Sequence, residues 1–118
     1  MAGLLPFRTT HTSNSTSLLI DSFSEYENVC FMLNVSVSDK FLSLLINGNA
    51  TRGLKAKILL DTGQGSNYFK LKILDNKVYL NRTAYGSLRL YVYRFSKKYI
   101  EIEDSDVDLT NAETIGYI

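Results

Sequence analysis

The chain has 118 residues with one cysteine, one proline and no tryptophan. With Cys30 as its lone thiol it has no intrachain disulfide. With His11 as its lone histidine it has no Cys/His zinc site within one chain. Cys30 stands between Val29 and Phe31 in an apolar run and reads as a half-buried structural thiol. No run approaches the ~18 apolar residues of a membrane helix, so no membrane insertion is expected. The residues after Met1, Ala2 to Pro6, lack a basic stretch followed by an apolar one, so no secretory signal is read. A one-sided charge is missing too: the formal net charge is +1. Lys and Arg are spread among the runs, which argues against the concentrated basic field of a nucleic-acid binder. Nothing in the chain calls for a cofactor. The sequons at Asn14, Asn34, Asn49 and Asn81 read as chance matches in a chain rich in Asn, Ser and Thr.

What is present is alternation. Apolar residues make 45% of the chain and charged residues 21%, a balance that supports one globular domain with one core. Val29, Phe31, Leu33, Val35 and Val37 form a period-two row against Met32, Asn34, Ser36 and Ser38, the mark of a strand with one buried face. Further strands are expected at Ser17 to Asp21, at Phe41 to Ile46 and over Leu54, Ala56, Ile58 and Leu60, with Lys55 and Lys57 turned away. Phe69, Leu71 and Ile73, then Val78 and Leu80, flank Asp75-Asn76. Two such runs around two residues that tolerate positive φ predict a hairpin. Leu88, Leu90 and Val92 make another row, and Ser96-Lys97 can turn the chain into Ile100 and Ile102.

No helix is expected before residue 105. The short connections favour antiparallel pairing. The expectation is an all-β fold, an antiparallel β-sandwich, jelly-roll-like, of about eight short strands. Residues 1–15 read as an N-terminal arm, 16–104 as the sandwich and 105–118 as an acidic, polar tail. The acidic run Glu101, Glu103, Asp104, Asp106 and Asp108 lacks the central Gly of a calcium loop and reads as a solvated edge, so no metal is expected.

One motif carries a resemblance to enzymes. Ile58-Leu59-Leu60-Asp61-Thr62-Gly63 resembles the active-site segment of retropepsin-like aspartic proteases. That resemblance implies a homodimer in which two copies of Asp61 share a proton, with Thr62 and Gly63 completing the motif. The surrounding pattern departs from the family. Gln64 follows the Gly where Ala or Ser is usual, the hairpin at Asp75-Asn76 comes too early for a flap, and Tyr85-Gly86-Ser87 is weak as one. The chain also runs two residues past Gly116 where a helix and strand should follow, and about three dozen N-terminal residues are surplus. The other reading is plain turn chemistry at a strand end. No catalytic residue is assigned on the leading reading.

The strand from Ser87 to Phe95 is unusual on its outward row, which carries Arg89, Tyr91, Tyr93 and Phe95. Water-facing strands carry Thr, Ser, Lys or Glu, whereas aromatics with Arg mark protein interfaces. Phe41 and Leu45 likewise oppose the apolar row Leu42, Leu44 and Ile46. These six residues are the candidates for a subunit interface or ligand-binding face, although the arm or tail could also cover them. The segments Ser66 to Leu80 and Gly86 to Arg94, with the lead-in Gly3 to Pro6 and the strand Val29 to Val37, resemble the C-terminal β-sandwich tip domains of bacteriophage tail fibres and related virion appendages. The resemblance covers roughly residues 16 to 104. It implies a homotrimer located in the virion that decorates it or binds a host-surface glycan or protein.

Overall fold

A computed structural model describes residues 7–13 in their backbone, and residues 15–84, 86–95 and 102–118 in full. The described residues form an antiparallel β-sandwich of two five-stranded sheets. The strands are β1 (Phe7–Ser13), β2 (Ser17–Ser22), β3 (Val29–Val37), β4 (Lys40–Asn49), β5 (Gly53–Thr62), β6 (Phe69–Leu74), β7 (Lys77–Arg82), β8 (Leu88–Arg94), β9 (Glu103–Ser105) and β10 (Glu113–Thr114). One helical turn, α1 (Gly65–Tyr68), joins β5 to β6. The first sheet runs β1-β8-β3-β4-β5 and the second β10-β6-β7-β2-β9. Pairing of β1 with β8 and of β2 with β7 nests outer strands around inner ones, the jelly-roll feature of the fold, while β3-β4-β5 is a meander.

Local chemistry sets the turns. Asp75 and Asn76 take φ of 52° and 58°, the left-handed values that a two-residue hairpin needs, and Leu74 pairs with Lys77 across them. The period-two rows then fill the core. Phe31, Leu33, Val35, Leu42, Leu44, Ile46, Leu88, Leu90 and Val92 from the first sheet face Leu18, Ile20, Phe69, Leu71, Val78 and Leu80 from the second, all buried.

Two β-bulges break the alternation. In β2, Leu19 pairs with Tyr79 and Asp21 with Val78, which leaves Ile20 as the extra residue. Ile20 and Asp21 are both buried as a result. Asp21 there meets Arg94 of β8, with Nε 3.6 Å from Oδ2. Arg94 also donates to the Ile20 carbonyl, so this guanidinium ties the two sheets together. It continues the inward row Leu88, Leu90, Val92, a position that alternation alone marks as buried. In β5, Ser43 pairs with Leu60 but Leu44 pairs with Ile58. Leu59 is the extra residue, and the expected inward position of Leu60 is corrected: it is 54% exposed.

The flanking segments take part in the sheets. β1, within the expected arm, pairs along its whole length with β8. The expected tail is also part of the sandwich. β10, within that tail, pairs with β6, and β9, which straddles the expected boundary at residue 104, pairs with β2. The Ile115 amide donates to Leu71 at 2.9 Å, and Ile118 exchanges bonds with Ala56 and Ile58 at 2.9 and 2.8 Å. Bare strand edges seek partners, and here the edges of β5 and β6 find them in the chain's own last residues. The turn expected at Ser96-Lys97 and the strand start at Ile100 lie outside the described residues. α1 is the one departure from the expectation of no early helix.

Removing one partner of a buried ion pair leaves the other uncompensated, at about 3–5 kcal/mol. Asp21→Ala is therefore expected to lower unfolding stability by that amount in urea titration. Replacing both partners with apolar residues, as in Asp21→Leu with Arg94→Met, is expected to recover most of the loss.

Candidate interaction surface

The six outward residues singled out in the sequence come together on the outer face of the first sheet. Register places them in cross-strand rows. Tyr93 stands beside Met32, Leu45 and Lys57. Tyr91 stands beside Asn34, Ser43 and Leu60. Arg89 stands beside Ser36, Phe41 and Thr62. Phe95 follows, its amide donating to the Cys30 carbonyl at 3.1 Å. The outer side of this sheet thus mixes aromatic and aliphatic side chains with Asn34, Ser36, Ser43 and Thr62.

Exposure differs along it. Phe95 is 56% exposed and Leu45 36%, while Tyr91, Tyr93, Phe41 and Met32 are half-buried. Ser43 is buried although it lies on the outer face, and its hydroxyl donates to Asn34 Oδ1. That bond fixes the polar centre of the face. Cys30 is exposed on the same side, not half-buried as its apolar neighbours suggested, because alternation puts it opposite the buried Val29 and Phe31. Leu59 and Leu60 enlarge the surface, and sequence reading missed them because the bulge in β5 cannot be seen in a run of apolar residues. Among the described residues, charge at the register positions of this face has one sign: Lys55, Lys57 and Arg89 are exposed, and no carboxylate is placed there.

Asp61-Thr62-Gly63 closes β5, with Thr62 in the Phe41 row of the outer face and Asp61 paired with the inward Leu42. The Asp61 carboxylate is exposed and receives the Ser66 amide at 3.4 Å on both oxygens. Gly63 has φ of 64°, and a Cβ there would strike the Asp39 carbonyl. Turn geometry thus accounts for both the Asp and the Gly of the motif. The hairpin that follows, β6-β7, is an inner part of the second sheet with Phe69, Leu71, Val78 and Leu80 buried, not an arm above Asp61. Tyr85, in the other flap candidate, lies outside the described residues, as does the His11 side chain. Among the described residues, no group of three or more His, Cys, Asp or Glu side chains is placed to hold a metal ion.

Near this end, Tyr117 is inserted between β5 and β6. Its hydroxyl donates to the Phe69 carbonyl, and the Lys70 ammonium lies 5.6 Å from its ring centre. Burial pushes its pKa well above the ordinary tyrosine range. The Asp61 charge adds to that rise, while the Leu71 backbone works against it.

Comparisons with protein-family models, with curated proteins and with solved structures find no match. The class rests on the fold itself: an all-β antiparallel sandwich with an apolar, cationic outer sheet face.

Because the folded state holds the neutral phenol of Tyr117, its contribution is fully present below the ordinary tyrosine pKa of about 10 and is lost as pH rises past it. Tyr117→Phe is expected to cost about 1 kcal/mol at neutral pH through the lost hydrogen bond. The gap between variant and parent should narrow above that pH in urea titrations. Equal alkaline slopes for the two proteins would contradict the burial of this hydroxyl.

Proposed function

We propose that this domain is an oligomerising binding module of the virion-appendage type. Copies associate through the outer face of the first sheet, and the assembled domain engages a host-surface glycan or protein. The observation that carries the reading is the row Tyr93, Met32, Leu45, with Phe95 and Leu60 open beside it. Water gains nothing by wetting such a surface, and burying it drives association at roughly 25 cal/mol per Å² before the costs of ordering. Aromatic residues with Arg at the centre of a sheet face are the usual energetic core of protein contacts. A small β domain with an apolar patch of this kind is commonly completed by symmetric association. The pattern resemblance to phage fibre tips supports a trimer and a place in the virion.

Light scattering and native mass spectrometry of the chain are expected to report a trimer. Tyr93→Ser combined with Leu45→Ser, both at partly open positions, should release monomers with an unchanged far-UV circular dichroism spectrum. A parent protein that is monomeric at high concentration removes the reading, as does an assembly indifferent to this pair.

A further inference from the structure

The charge of the chain is divided in a way its near-zero net value hides. Of its 12 Asp and Glu residues, six lie in residues 101–118, which hold no Lys or Arg. Residues 1–100 therefore hold all 13 Lys and Arg against the other six carboxylates. The acidic end includes β9 and the loop after it, at the edge of the second sheet.

That loop has a defined shape. The Ser105 hydroxyl receives the Val107 amide at 3.2 Å, and Asp108 Oδ1 receives the Thr110 amide at 3.0 Å and its hydroxyl at 2.6 Å. These two adjoining turns carry Asp106, Val107 and Asp108, all exposed, with Val107 38% open. An aliphatic tip is thereby held out between two carboxylates. The outer face of the first sheet is its counterpart, with the exposed Leu45 paired to Lys57 on β5 and Lys55 two residues before it on the same side.

We propose that the 106–110 loop of one copy docks on the outer face of the first sheet of the next copy. Val107 packs on Leu45 and Met32, and Asp106 and Asp108 meet Lys55 and Lys57. The inference rests on the oligomeric reading above and makes it specific. Loop and face are different patches, so the contact is heterologous, and such contacts close into rings when the rotation allows it. A trimer is one such ring and needs no two-fold axis. Opposed charges set register and partner choice, while the apolar contact supplies most of the affinity.

Charge reversal on each side separates the outcomes. Asp106→Lys with Asp108→Lys, and separately Lys55→Glu with Lys57→Glu, are each expected to weaken assembly about tenfold or more in native mass spectrometry and light scattering. All four substitutions placed in one chain should restore it, since loop and face are again opposite in sign. Alkylation of Cys30, exposed on the same face, should slow on assembly and speed up again in either two-site variant. An assembly that responds to Tyr93→Ser with Leu45→Ser but ignores both charge reversals overturns this inference alone. A monomeric parent overturns it together with the reading beneath it. Weakening by both reversals with no recovery in the four-site chain also overturns it.

Discussion

The two five-stranded sheets must each bury one face against the other, and almost every feature of the fold answers to that requirement. Strand side chains alternate, so each strand can offer the core only every second residue. β3 and β8 meet the demand with unbroken rows, from Val29 to Val37 and from Leu88 to Val92. Where the row would end in a charged residue, the structure supplies a partner across the gap. Arg94 occupies the last inward position of β8, and the bulge in β2 turns Asp21 toward it. A buried guanidinium is tolerable only when it is paired and its donors are used.

The remaining unsatisfied surface determines what the domain can do. The edge of β5 is met along Ala56 and Ile58 by the chain's own Ile118, and β6 is met by β10 and Ile115. Tyr117 fills the space between these strands, with its hydroxyl spent on the Phe69 carbonyl. The side of the sandwich from β5 to β6 is therefore closed by backbone hydrogen bonds, which are directional and consume the groups that would otherwise template pairing. The face formed by Tyr91, Tyr93, Phe95 and Leu45 has no such cover among the described residues. Its apolar contact is non-directional and depends on shape and area, so association through it is a matter of packing rather than of sheet extension.

Asp61 illustrates how the same residues can be read two ways. Its sequence context suggests a protease carboxylate, while its surroundings are those of a turn. The carboxylate caps the Ser66 amide, Gly63 occupies a left-handed position against the Asp39 carbonyl, and the next hairpin is buried in the second sheet. A short polar motif at a strand end is common because turns and active sites favour the same small, hydrogen-bonding residues.

Alternation alone determined the all-β class, the strand from Val29 to Val37, the hairpin at Asp75-Asn76 and the outward placement of Arg89, Tyr91, Tyr93 and Phe95, because side-chain direction in a strand is a local property of the backbone. Local pattern could not foresee the bulges that turn Asp21 in and Leu60 out, since an extra residue is defined only against the strand opposite it. Nor could it place Phe41 and Leu45 on the same face as Tyr93, which requires the register of β3 between β4 and β8. The polar composition of residues 105–118 suggested a tail. Only the folded sandwich, with two strand edges needing hydrogen-bond partners and the Phe69 carbonyl open to the Tyr117 hydroxyl, made that segment part of the structure.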